Sequence, residues 1–145
     1  MNLFSQRGTE AELLFAAEAI KRGYTVSFPV SHDSRYDALI DNGKAIYRCQ
    51  IKRAYATRNR WFKRSDEKRE NPSFYELFSV EMRRRAPGRE TQGTRYDKND
   101  FDFLVACGVE NRDFWIIPMK VAMTYKSNVY LTGRTEAAKY KNTWM

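Results

Sequence analysis

Apolar and polar positions alternate most cleanly between residues 36 and 52. Residues 36–40 (YDALI) and 45–51 (AIYRCQI) read as strands, and Asn42-Gly43 between them predicts a two-residue hairpin turn. A type I′ turn there pairs Asp41 with Lys44 and sets Asp37 opposite Arg48, with Gln50 at the next diagonal position. A four-residue loop is expected to keep this pairing and an odd-length loop to break it. Asp37, Arg48, Gln50 and Lys52 then share one face. Tyr36, Ala38, Ile40, Ala45, Tyr47, Cys49 and Ile51 take the other, mostly apolar face. Opposed strand residues lie roughly 5 Å apart and diagonal ones roughly 7–8 Å, within the span of a bridging metal ion.

Before the hairpin, residues 9–22 have a helical period. Thr9 with Glu12 three residues on has capping-box spacing. Leu13, Ala16, Ala17 and Ile20 form the expected buried stripe, and Gly23 the expected stop. Residues 24–29 alternate as a short strand. After the hairpin, residues 54–71 interleave Tyr55, Trp61 and Phe62 with cations and read as a loop with a short helix near 64–69. Residues 74–85 alternate roughly, as a strand would, and 86–94, with Pro87, Gly88 and Gly93, form a loop. Residues 100–108 (DFDFLVACG) are apolar on both faces, the mark of a central strand. A turn at 110–112 leads to a second strand over 113–119, whose ladder Pro118 ends. Residues 121–125 begin a helix and 128–131 form an edge strand. The order predicts an α/β (α+β) domain, a mixed β-sheet flanked by helices.

Length, composition and charge narrow the function. A chain of 145 residues suits one domain with a sizeable core, and 42% apolar residues argue against disorder. No apolar run approaches the roughly 18 residues a membrane helix needs, and the first residues, MNLFSQRGTE, lack a signal-peptide core. Cys49 and Cys107 fall in predicted strands without metal-type spacing, as reduced thiols of an intracellular, cytoplasmic protein would. The single histidine, His32, excludes paired-histidine zinc motifs and argues against a histidine-based nuclease site. It reads as a loop residue near the mouth of the site. The formal charge is +8, and two segments carry it. Residues 48–69 are net +7 and residues 82–98 net +4, on a body that is net −3. Two basic segments on a slightly acidic body point to a polyanion, most often nucleic acid.

An acid on one strand followed by x-Lys on the next resembles the PD-(D/E)xK nuclease core. Here the elements are Tyr36-Asp37 and Gln50-Ile51-Lys52, with Tyr36 where the proline usually stands and Gln50 where the second acid does. Gly8-Thr9-x-x-Glu12, Gly23-Tyr24-x-Val26, Tyr36-Asp37 and Cys49-Gln50-Ile51-Lys52 follow in the order seen in archaeal Holliday-junction resolvases. They are closer still to the group I intron-encoded homing endonucleases with this core, which can carry Gln in place of the second acid. The resemblance covers residues 8–53 with motif support and residues 100–118 more loosely. It implies a restriction-endonuclease-like core over about 5–53 and 100–125, DNA-facing excursions over about 54–71 and 82–98, and one nuclease domain over 1–145. It also implies a homo-oligomer, a dimer or a dimer of dimers, since cutting two strands needs two sites.

The residues fit the chemistry independently. Phosphodiester hydrolysis needs a divalent ion, an activated water and charge compensation. Asp37 would be the main ligand of Mg²⁺ in a one- or two-metal site (Mn²⁺ may substitute), joined by the Gln50 amide oxygen and the Ile51 carbonyl. Lys52 would orient the water and stabilise the phosphate, and by the resemblance Glu12 would reach over from the helix. Plainer roles stay open. Glu12 could only close the capping box, Asp37 could only pair with Arg48, Gln50 could be a polar face residue, and Lys52 the first cation of the basic segment. Candidate contacts to double-stranded DNA are Arg53, Arg58, Arg60, Lys63, Arg64, Arg83, Arg84 and Arg85. The reading is a metal-dependent, site-specific DNA endonuclease of the homing type. The alternatives are a structure-selective junction resolvase and a catalytically decayed DNA-binding module.

Overall fold

The first helix begins well before its cap signal. In the computed structural model, which describes residues 3–31, 33–58, 76–84, 94–133 and 135–145, helix α1 spans Leu3–Lys21. Thr9 and Glu12 therefore lie inside it, and the capping box is not what starts the helix. The stop is where expected. Gly23 has φ +88°, the Tyr24 amide donates to the Ala19 carbonyl at 3.0 Å, and the Gly23 amide to that of Ile20 at 2.9 Å. This is the Schellman closure that glycine permits without a Cβ penalty.

The buried face of α1 is not the expected stripe. Ala11, Phe15, Ala16 and Ala19 are buried, whereas Leu13 is 59% and Ile20 61% exposed. The large ring of Phe15 decides the face. The small Ala11 and Ala19, one turn to either side, let the helix close on the sheet around it.

That sheet has five strands in the order β1-β2-β3-β8-β9: Thr25–Ser27, Ala38–Asp41, Ile46–Arg53, Phe103–Gly108 and Asp113–Pro118. Only β3 and β8 run parallel. The two late strands thus join the hairpin in one sheet, as the sequence predicts. One face buries Ala38, Ile40, Cys49, Ile51, Val105 and Cys107 against α1. The C-terminal end closes over this core. Trp144 stacks on Phe15 at 5.3 Å between centroids, and the Tyr24 hydroxyl donates to the Met145 carbonyl at 2.5 Å.

The other face carries Leu104, Ala106, Trp115 and Ile117 against a second, three-stranded sheet. Its order is β10-β5-β4, from Asn128–Tyr130, Glu76–Glu81 and Tyr55–Arg58. The segment after Ala54, expected as a loop, therefore begins as a strand, and the expected edge strand at 128–131 forms in this second layer. A short helix α2, Met119–Ala122, follows β9 directly and starts two residues before the span predicted for it, which it overlaps at Val121 and Ala122. A two-stranded ribbon, β6 (Arg83–Arg84) with β7 (Thr94–Arg95), completes the described strands.

The hairpin keeps the predicted faces but not the predicted register. Asp41 pairs with Ile46 and Ala38 with Cys49, so the loop has four residues, Asn42 to Ala45. The expectation that such a loop preserves the pairing fails, because each partner moves by two residues. Asn42 and Asp41 decide this through local bonds. The Asn42 side-chain oxygen accepts from the amides of Lys44 and Ala45, both at 2.9 Å, and Asp41 Oδ1 accepts from Gly43 at 2.8 Å. Gly43 takes φ +84° and Asn42 does not have the positive φ that a type I′ turn requires.

Candidate active site

The two-residue shift has a chemical consequence: it carries the β2 end of the hairpin from Arg48 to Gln50. Asp37 immediately precedes β2, and its amide donates to the Cys49 carbonyl at 2.9 Å. Its Oδ2 accepts from the Ile51 amide at 2.8 Å and from Gln50 Nε2 at 2.5 Å. Strand β2 ends here, so β3 runs on past its partner, and the Asp37 carboxylate takes the place of the missing strand. The N–H and C=O of one strand residue leave on the same side, so the Ile51 carbonyl faces this same edge.

Glu12 approaches from α1. Its carboxyl is pushed up from 4.5 to about 7, first by burial and then by the charge of Asp37. It sits mid-helix, so the helix N-terminus that might have kept it ionised is not its neighbour. The charge of Asp37 thus acts on Glu12 while Asp37 itself accepts the bond from the Gln50 amide.

Lys52 lies two residues beyond Gln50 on the same face of β3. Its Nζ donates to the Arg83 carbonyl at 3.0 Å and stands 5.4 Å from the centroid of the Tyr96 ring. The structure therefore brings Glu12, Asp37, Gln50 and Ile51 together, and holds the Lys52 amine at the start of β6.

Arg48 does not pair with Asp37, which removes that plainer reading of the aspartate. Its guanidinium holds Asp102, with Nη2 to Oδ1 at 3.1 Å and Nε to Oδ2 at 3.3 Å, and the Arg48 amide donates to Oδ2 at 2.8 Å. Asp102 was not singled out in the sequence. The alternation D-F-D-F before LVACG was the available sign that its side chain leaves the core.

The proposed DNA contacts divide. Arg53 is 14% exposed, and its guanidinium is held by Glu10 at 3.2 Å and Glu110 at 2.5 Å on the α1 side. It serves as a brace between helix and sheet. Arg83 is exposed on the β6–β7 ribbon. Arg58 ends β4 and Arg84 ends β6. Arg60, Lys63, Arg64, Arg85 and His32 lie outside the described residues, as does the short helix expected near 64–69.

The donor set suits a hard divalent cation. Its oxygens come from two carboxylates, a backbone carbonyl and an amide, with no thiolate or imidazole. The upward shift of Glu12, caused first by burial and second by the charge of Asp37, is one that a cation beside the two carboxyls would oppose. Among the described residues, no group of three His, Cys, Asp or Glu side chains could hold a metal, so Gln50 and Ile51 would have to complete the set. In this conformation Gln50 turns its NH₂ to Asp37, and presenting its oxygen there requires the amide to rotate.

A sequence model of the PD-(D/E)XK endonucleases matches residues 4–144. The chain belongs to the PD-(D/E)XK endonuclease family. It is therefore a nuclease that hydrolyses DNA, and nucleases of this family use divalent metal ions. The fold agrees. A solved structure described as that of a bacterial homing endonuclease, I-Ssp6803I, superposes with a TM-score of 0.78 at 23% identity, covering 99% of this chain and 91% of the other. No curated protein matches the sequence. None of the described helices of the endonuclease is long and apolar enough to cross a membrane.

Proposed function

We propose that the endonuclease is a site-specific, Mg²⁺-dependent enzyme that cuts double-stranded DNA, of the intron-encoded homing type, and works as a homo-oligomer. The observation that carries the reading is the edge of β3, where Asp37 caps Ile51 and Gln50 within the reach of Glu12. The likeness of the whole fold to a bacterial homing endonuclease supports the homing type over junction resolution.

Asp37, Glu12, the Ile51 carbonyl and the Gln50 amide oxygen would hold Mg²⁺, with Mn²⁺ able to substitute. Such an ion would supply a water of lowered pKa and would neutralise charge on the phosphate. Asp37 is kept in place by its two bonds from β3, so a ligand oxygen is positioned before DNA arrives. Lys52 offers a cation to the phosphate from the face that carries Gln50, and the Arg83 carbonyl restrains its amine. The basic segments beyond Lys52 hold the DNA backbone.

The test is cleavage of a duplex library beside a four-way junction, with Mg²⁺. Unique duplex sites support homing, and junction-only cutting supports resolution. Duplex cutting that survives both Asp37→Ala and Lys52→Ala would place the site elsewhere. DNA binding without any cutting would make the chain a decayed module.

A further inference from the structure

The β6–β7 ribbon is built against its own electrostatics. Arg83 of β6 stands directly opposite Arg95 of β7, and both side chains are exposed. Like charges directly opposite one another weaken a strand pair. Among the described residues neither guanidinium has a carboxylate partner. By contrast Arg53, Arg48, Arg35 and Arg22 are each paired with an acid. A two-stranded ribbon is marginal by itself, and among the described residues no carboxylate is paired with either of these guanidinium groups. An anion placed between the two guanidinium groups would convert the repulsion into a bridge.

We propose that Arg83 and Arg95 form a clamp for a single backbone phosphate of the DNA substrate. The inference rests on the nuclease reading and adds a contact, Arg95, and a stoichiometry. The root of the ribbon is also where Lys52 is anchored. Its amine meets the carbonyl of Arg83 itself and the ring of Tyr96, the residue after Arg95. The clamp and the lysine of the candidate site are thus attached to the same few residues of backbone. A phosphate seated in the clamp fixes the register of the DNA relative to Lys52.

The clamp has a signature that a structural arginine pair or a base-reading pair does not share. Binding of the full chain to a short random-sequence duplex is measured without divalent metal, as a function of salt, for the parent, Arg83→Ala, Arg95→Ala and the double variant. Each neutralised phosphate contributes about 0.9 to the slope of log K against log[salt]. If the two arginines share one phosphate, either single variant loses up to that amount and the double variant loses little more. Melting of the free protein is measured alongside. Removing either cation relieves the repulsion, so the melting temperature stays level or rises while DNA affinity falls.

A slope loss in the double variant near twice that of the singles overturns the shared phosphate. An unchanged slope with altered sequence preference makes the pair base readers and overturns the clamp. Lower melting temperatures in both singles assign the pair to folding instead. These results leave the nuclease reading intact, provided the parent binds. A parent that binds no duplex at low salt, and cuts none with Mg²⁺, overturns that reading and the clamp with it.

Discussion

Strand β3 is gripped by an aspartate at each end, and the two grips are nearly the same in hydrogen bonds but differ in the side chain of β3 that each carboxylate holds. Near its start, Asp102 accepts the Arg48 amide at 2.8 Å and the Arg48 guanidinium. Further on, Asp37 accepts the Ile51 amide at 2.8 Å and the Gln50 side chain. Each carboxylate takes one backbone N–H and one neighbouring side chain of β3. At Asp102, burial raises the carboxyl's pKa, but the bonds and charge of Arg48 outweigh it and hold it below the usual range. At Asp37 the side chain held on β3 is a neutral amide, and Glu12 is driven up to about 7, first by its own burial and second by the charge of Asp37. A cation supplied by the protein makes an aspartate a structural clasp. The same grip made with an amide adds no positive charge from that partner.

The largest expected difference between the two grips is in activity. Asp37→Ala should lower Mg²⁺-supported single-turnover cleavage by at least about a hundredfold while DNA binding persists, and Lys52→Ala likewise. Asp102→Ala should leave the rate per folded molecule close to the parent's. Equal losses at Asp37 and Asp102 would erase the distinction.

Gln50→Glu probes the charge balance itself. A third carboxylate should bring the Mg²⁺ requirement down by about tenfold, read from a titration of cleavage rate against metal. An unchanged requirement would mean that position 50 does not reach the ion.

Stability should respond at the other grip. Asp102→Ala removes the acceptor of the Arg48 amide and leaves the half-exposed guanidinium only the Asn99 carbonyl, and should cost roughly 1 kcal/mol in denaturant unfolding. The pH sign follows from the lowered carboxyl. The contribution of Asp102 is present above the unfolded-state value, near 3.8, and is lost as pH falls through the lower folded-state value. The parent and Asp102→Ala should therefore converge in stability at strongly acid pH.

The smallest effect has the opposite sign. The Glu12 carboxyl is raised, so its contribution to folding is most favourable below its ordinary 4.5 and is lost as pH rises through about 7. In metal-free protein, Glu12→Gln should melt slightly higher than the parent above that pH, though the variant cuts poorly. Asp37→Asn should move the Glu12 midpoint downward in an NMR titration, because it removes the second of the two causes. A midpoint unmoved by Asp37→Asn would mean that the two carboxyls do not sense each other.

Much of the candidate site is legible in the chain. The alternation over 36–52 places Asp37, Gln50 and Lys52 on one face whatever the exact loop, because the strand period of two fixes parity. The length and apolar pattern of 100–108 and 113–119 identify the strands that extend the sheet. What was misread depended on choices between similar local options. Asn42-Gly43 suits both a two-residue and a four-residue loop, and bonds from the Asp41 and Asn42 side chains selected the longer one. The face of α1 was misassigned because leucine and isoleucine compete with alanine in any hydrophobic count, whereas the sheet has room for one ring, Phe15, between small residues.

The sequence by itself determined the chemistry on offer: a carboxylate, an amide and a lysine at strand spacing, a second carboxylate on the first helix, and dense positive charge after the lysine. Which acid answers which partner was decided only by the tertiary structure. Arg48 is two residues along β3 from the position opposite Asp37, and it serves Asp102 instead because the four-residue loop slides β2 along β3 and β8 brings Asp102 alongside. The same is true of Arg95, anonymous in a basic segment until β7 pairs it with Arg83. Local patterns fix which face a side chain takes. Long-range register, set by the packing of the whole sheet, fixes whose charge it meets.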